Sequence, residues 1–281
     1  MNKSDPLACI SKNGCRSHAV GICKTREMTE LNKTIEEVSF MGPVGAFFDI
    51  DGTLYRDSLM VEHFKKLVKY EVVDPVVWHR NVKKTYEEWK KRRAEYDDYL
   101  IELSQIYIRS LTGLNKGSLD FIADQVIKLK GEEVYSYSRQ RIQYHLWAGH
   151  KIFFISGSPD FLVEKMAEKY SATEFRGTRY EVNARGDFTG NIVPMWDSEN
   201  KNMAILDFVK RHNIDLSASY AYGDTNGDYS MFQLVGHPVA INPTRELVRN
   251  IQNDPVMMDK IDIIVERKDV VFRLPASVEI L

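Results

Sequence analysis

The residues best placed to do chemistry are two aspartates separated by one residue, Asp49 and Asp51, in the run Ala46-Phe47-Phe48-Asp49-Ile50-Asp51-Gly52-Thr53-Leu54. In an extended strand alternate side chains share a side, so both carboxylates face one way and Ile50 the other. Carboxylates this close repel unless a cation or a shared proton sits with them. Three later segments carry matching groups. In Ser156-Gly157-Ser158-Pro159-Asp160, Ser158 is the expected N-cap and Pro159 the first helical residue, which exposes N–H groups beside the Ser156 hydroxyl where an anion can bind. Gly223-Asp224-Thr225-Asn226-Gly227-Asp228 supplies two more acids, and Lys201 a positive charge. Four acids in one cleft need compensation, and a hard divalent cation with oxygen ligands provides it; Mg²⁺ takes one or two carboxylates together with phosphate and water. Each residue also has a plainer reading. Ser156 can be a turn hydroxyl, Asp228 can cap the helix bearing Tyr229, Met231 and Phe232, and Lys151 and Lys210 compete with Lys201 for its role.

The elements that must position these groups follow from periodicity. Ala46 to Ile50 is apolar apart from Asp49 and of strand length, as in a central strand buried on both faces. Asp57 or Ser58 is expected to cap a helix whose stripe is Leu59, Met60, His63, Phe64, Leu67 and Val68, and Asp74-Pro75 opens a long helical stretch reaching Gly113. Two more amphipathic segments, about 118 to 130 and 133 to 148, make residues 58–146 helical throughout. Strand character returns at Lys151 to Ile155, in a small hairpin from Arg179 to Val193, at Ser219 to Tyr222 and at His237 to Ile241, with a helix from about Asn200 to His212. Strands alternating with helices predict an α/β fold with a largely parallel sheet, and right-handed crossovers bring the strand tips to one edge. Ligands in such sheets bind outside the carboxyl ends of the strands, which gathers Asp49, Asp51, Ser156, Asp224 and Asp228. The organisation expected is a polar extension over 1–42, a core from 43–57 and 147–281, and a helical insert over 58–146.

Composition narrows the function class. The 281 residues carry 38 basic and 40 acidic side chains, so no global positive field argues for nucleic acid. No window is apolar enough for a membrane span, and the polar start lacks a secretory pattern, which makes the cytosol the default expectation. Cys9, Cys15 and Cys23, with His18 among them, all fall in the extension; they form no C-x-x-C pair and match no zinc spacing.

In order, Asp49-Ile50-Asp51-Gly52-Thr53, Ser156, Lys201 and Gly223-Asp224 with Asp228 resemble the four signature motifs of the haloacid dehalogenase superfamily, over about Gly45 to Pro243. The helical insert, Ser156-Gly157-Ser158 and Tyr222-Gly223-Asp224 are similar to the subgroup containing phosphoserine phosphatase. The resemblance implies a Rossmann-like core with a helical cap and a Mg²⁺-dependent phosphomonoester hydrolase acting on a small phosphorylated metabolite. It implies Asp49 as the nucleophile forming an aspartyl-phosphate, and Asp51 as general acid and base. Mg²⁺ would lie among Asp49, the Asp51 backbone carbonyl and Asp224, with Asp228 as a further ligand or supporting acid. Ser156 and the Gly157 N–H would hold phosphate oxygens, and Lys201 would stabilise the nucleophile and the transferring group.

The resemblance also has a departure. Phosphoserine phosphatases carry a glutamate for the substrate ammonium at the position corresponding to Ser58, and a serine cannot supply that charge. Asp57 or Glu62 could substitute, and the aromatic residues Trp78, Tyr86, Trp89 and Tyr96 could line the leaving-group pocket. Phosphoserine hydrolysis therefore stands as an alternative, as does phosphoryl transfer to an acceptor alcohol; a non-enzymatic binding protein would be expected to lack Asp49 or Asp51.

Overall fold

A computed structural model describes residues 42–91, 93 and 96–280. The extension with its three cysteines, and Tyr96 as a pocket side chain, lie outside the described residues and side chains. Among those described, eight strands form one sheet in the order β4-β3-β2-β1-β5-β6-β7-β8. They are β1 (Val44–Phe48), β2 (Lys151–Pro159), β3 (Glu174–Val182), β4 (Phe188–Val193), β5 (Asp215–Gly223), β6 (His237–Ile241), β7 (Asp262–Arg267) and β8 (Val270–Leu274). The pairings are parallel except for antiparallel edges at β3/β4 and β7/β8. Strand order reverses between β1 and β5, and the crevice at such a switch point is where ligands bind in α/β sheets.

β1 is central because both of its faces are covered. Phe47 stacks on Phe153 at 5.1 Å, and Phe153 in turn on Phe208 at 4.7 Å. On the other face Phe48 stacks on Tyr222 at 4.1 Å and meets the edge of His145 at 6.0 Å. Each fully buried phenylalanine contributes on the order of 2–3 kcal/mol.

Between β1 and β2 the described chain is helical: α1 (Leu59–Lys69), α2 (Pro75–Val77), a π-helical turn (Trp78–Val82), α3 (Lys83–Lys90), α4 (Tyr96–Leu111), α5 (Lys116–Lys130) and α6 (Ser136–Trp147). The single long helix expected after Asp74 is thus broken into several. Asp74 does cap it, accepting from the Val76 N–H at 2.8 Å. α6 lies on the Phe48 face, where His145 Nε2 meets the Tyr222 hydroxyl at 2.8 Å, so this last part of the insert packs on the sheet. Later come α7 (Asp160–Lys169), α8 (Ser198–His212), α9 (Tyr229–Leu234), α10 (Arg245–Gln252) and α11 (Pro255–Lys260). The expected small hairpin is present, Arg179 pairing with Val193 and Val182 with Phe188, and it forms the edge of the main sheet because β3 also runs parallel to β2. β7, β8, α10 and α11 were not anticipated, although Ile263-Ile264-Val265 and Val270-Val271-Phe272 flank a polar turn in which Lys268 has φ 53°. No helix among the described residues is long and apolar enough to cross a membrane.

Two fully buried histidines couple this packing to pH. Burial pushes His63 down to about 4; burial, Arg141 and His150 push His145 down to about 3. Both pKa values lie below the unfolded value, so the stability these neutral rings contribute is complete above about pH 6.5 and is lost as the pH falls toward the folded values. By pH 5 the expected loss is about 2 kcal/mol for each ring. Buried carboxyls raised above their usual range act in the opposite sense over the same interval. The check is therefore the change in urea midpoint between pH 7 and pH 5 in wild type set against that in His63→Gln and His145→Gln. The variants should lose less on acidification, and an identical change would contradict it.

Candidate active site

Asp49 stands one residue beyond β1, where its N–H donates to the Tyr222 carbonyl of β5 at 2.9 Å, fixing the tips of both strands together. Asp224 stands one residue beyond β5. Its Oδ1 accepts from the Thr53 hydroxyl at 3.0 Å. Gly52 has φ 83°, and a Cβ there would lie 2.1 Å from Asp224 Oδ2, so glycine is required for both its conformation and its closeness. At Gly223 closeness alone requires glycine, since a Cβ there would lie 2.4 Å from the Asp228 side chain.

Lys201 projects from the first turn of α8, a helix capped by Asp197. Its ammonium is buried and donates to Asp49 Oδ1 at 2.9 Å and to Asp228 Oδ1 at 2.5 Å. The competing lysines sit elsewhere, Lys151 at the opposite end of β2 and Lys210 exposed in the last turn of α8. Asp228 also accepts from the Asp224 N–H, the Thr225 N–H and the Thr225 hydroxyl, all through Oδ2. Asp228 stands at the N-cap position of α9, but its side chain makes no capping bond to that helix; it closes the preceding turn instead and seats Lys201.

Oxygens of Asp49, Asp224 and Asp228 lie within 4.8 Å of one another, and all three residues are buried. Three carboxylates face one ammonium. Burial and the like charges of Asp228 and Asp51 raise the Asp49 carboxyl to about 8 against the pull of Lys201; burial and the charges of Asp49 and Asp228 push Asp224 well above the carboxylate range. Excess buried negative charge on hard oxygen donors is the environment a divalent cation such as Mg²⁺ fits.

The Asp51 carboxylate is held apart from this group. Oδ1 accepts from the Leu59 N–H at 2.9 Å, while Oδ2 accepts from the Ser158 hydroxyl at 2.5 Å and the Ser58 hydroxyl at 3.3 Å. Burial raises its pKa to about 6, and these three donors restrain the rise. The expected capping roles are displaced accordingly. β2 continues to Pro159 and α7 starts at Asp160, so Ser158 caps nothing and instead binds Asp51. Ser58 occupies the N-cap position of α1 without a capping hydrogen bond from its side chain. Ser156 is buried at the same sheet edge, two residues past Phe154, the register partner of Phe48, and its hydroxyl accepts the Ser158 N–H at 3.2 Å. The adjacent Gly157 is approached by Trp196, whose Cβ would lie 3.1 Å from an added Cβ. Thr53 and Ser158 lie within the motif runs and Ser58 at the position compared with the phosphoserine phosphatases, but that each hydroxyl holds an active-site carboxylate is not legible in the sequence, because a hydroxyl's partner is set by folding.

A family model described as haloacid dehalogenase-like hydrolase matches residues 46–233. The chain belongs to this family. Among its relatives, a histidinol-phosphatase of Neisseria meningitidis serogroup C (strain 8013) is 25% identical over 207 residues, covering 72% of this chain and 91% of the relative. A putative hydrolase of Mycobacterium leprae (strain TN) is 32% identical over 219 residues, covering 72% and 67%. Among solved structures, a Bordetella pertussis Tohama I protein of unknown function superposes with TM-score 0.62 at 19% identity, covering 76% of this chain and 96% of that one. A phospho-aspartyl intermediate analogue of phosphoserine phosphatase superposes with TM-score 0.52 at 20% identity, covering 82% and 96%. At these identities the structural likeness speaks to the fold, which is that of the haloacid dehalogenase-like hydrolases.

Proposed function

We propose that this hydrolase is a Mg²⁺-dependent phosphomonoesterase that cleaves a small phosphorylated metabolite through an aspartyl-phosphate on Asp49. The observation that carries the reading is the separation of two acids at one strand tip: Asp49 in the carboxylate group with Lys201, and Asp51 in a cradle of its own. Lys201 holds one oxygen of Asp49, which leaves the other to attack phosphorus. As that O–P bond forms, the ester P–O bond breaks and Asp51 protonates the leaving alkoxide. Asp51 then takes a proton from water, whose oxygen attacks phosphorus and frees the Asp49 carboxylate.

Asp49, Asp224 and the Asp51 backbone carbonyl would hold Mg²⁺, with Asp228 beside them. When bound, the ion supplies the positive charge that lets a carboxylate approach a phosphate. Lys201 steadies the charge of the transferring group, and Ser156 with the Gly157 N–H receives phosphate oxygens.

The helices of residues 58–146, apart from α6 on the sheet, act in this reading as the cap that selects the leaving group and excludes water. Ser58 is buried with its hydroxyl on Asp51, so that position offers nothing to a substrate ammonium, which favours a leaving group other than serine. Phosphate release from a panel of small phosphomonoesters tests the reading. Release is expected with Mg²⁺, loss of at least about a hundredfold on chelation by EDTA, and recovery on adding back excess Mg²⁺. Activity indifferent to EDTA, or no release from any ester, would defeat it.

A further inference from the structure

The segment bearing Asp51 leads straight into the helical insert, and both ends of that insert meet at one carboxylate outside every motif. Glu266, on β7, has a side chain only 3% exposed. Its Oε1 accepts from Arg56 Nη2 at 2.6 Å and from the Ser136 N–H at 3.1 Å. Its Oε2 accepts from the Ser136 hydroxyl at 2.9 Å and the Tyr137 N–H at 3.0 Å. Arg56 is the third residue before α1, and Ser136 and Tyr137 are the first two residues of α6. Glu266 thus caps α6 from a distant strand and clamps the start of the insert to its end.

The clamp is built on both sides. Arg56 Nε donates to the Val134 carbonyl at 3.0 Å, its N–H to the Glu133 carbonyl at 3.2 Å, and its guanidinium lies over the Tyr135 ring at 5.4 Å. The Tyr135 N–H donates to the Leu54 carbonyl at 2.9 Å. On the sheet side the Glu266 N–H donates to the Asn242 side chain at 2.9 Å, in the loop where the Thr244 N–H reaches the Asp224 carbonyl. Ser58 and Leu59, which hold Asp51, are only two and three residues from Arg56.

We infer that Glu266, through Arg56, is a positioning residue that locks the Asp51 loop and the start of α1 in the geometry that aims the Asp51 carboxyl at the leaving group. The inference rests on the phosphatase reading. Proton donation matters greatly for an alkoxide leaving group and little for a nitrophenolate, and kcat/KM reports only the steps through departure of that group. A clamp acting through Asp51 therefore separates the two substrate classes, while general weakening of the fold lowers both alike.

The test compares kcat/KM for glycerol phosphate and p-nitrophenyl phosphate in wild type, Glu266→Gln, Arg56→Met and the double variant. Each single variant is expected to lose about tenfold on glycerol phosphate and under about threefold on p-nitrophenyl phosphate. The double variant should lose little more than either, since both cut one contact. Arg56 is half exposed, so its variant is informative even where Glu266→Gln folds poorly. Equal losses on both substrates, no loss, or additive losses overturn the proposal. Absence of hydrolysis by wild type overturns the phosphatase reading, and this inference with it.

Discussion

Replacing Asp49 with Asn is expected to lower phosphate release by about 10⁴-fold or more, the scale seen when a covalent nucleophile is removed. The amide keeps the shape of the side chain and an oxygen for the Lys201 ammonium, so the contact at 2.9 Å survives. What it lacks is the second anionic oxygen that attacks phosphorus. The fold should not suffer, because a buried negative charge leaves a cleft in which Asp49 and Asp224 are both pushed toward protonation. The expected result is thus a dead enzyme with a urea midpoint at or above that of wild type. Assay with an alkyl phosphate and a nitrophenyl phosphate, alongside the midpoint, decides it; a variant retaining more than about one part in a hundred of the activity would remove Asp49 from the nucleophile role.

Lys201→Met should damage both stability and rate. The lysine is buried, and its two contacts are to buried carboxylates. Removing one member of a buried ion pair leaves the others uncompensated, at a cost of about 3–5 kcal/mol. The Asp228 carboxylate keeps its Thr225 and Asp224 donors, so the loss falls mostly on Asp49 and on the mutual repulsion of the acids. A cation bound among them relieves that repulsion, so saturating Mg²⁺ should restore more stability to the variant than it adds to wild type. Turnover should remain about 10²–10³-fold down even with Mg²⁺, because the charge that steadied the transferring group is gone. Denaturation curves with and without Mg²⁺, set beside kcat, check both parts. An unchanged midpoint without the metal would mean that the ammonium is not balancing these acids.

Much of the site could be read from the order of residues along the chain, because motif chemistry is local. A strand that ends in Asp49 and Asp51, and another that ends in Asp224 and Asp228, announce a charged edge by type and spacing alone. Lys201 was harder. Three lysines competed for its place, and only the packing of α8 against the sheet selects the one whose ammonium reaches both Asp49 and Asp228. Ser158 was misread for a related reason. A serine before a proline has the local features of a cap, but β2 runs on to Pro159 and the hydroxyl turns to Asp51.

The last part of the chain shows the other limit. β7 and β8 have apolar runs of strand length, yet nothing nearby in sequence says which sheet they join, and Glu266 has no motif around it. Its four donors come from residues 129 to 210 positions away. By itself, then, the sequence determined the α/β class, the acidic strand tips and the chemistry they favour, since periodicity and residue type act over a few positions. The tertiary structure alone decided which lysine is buried between the acids, which hydroxyls hold Asp51, and where the two ends of the insert are fastened, because those contacts depend on long-range burial.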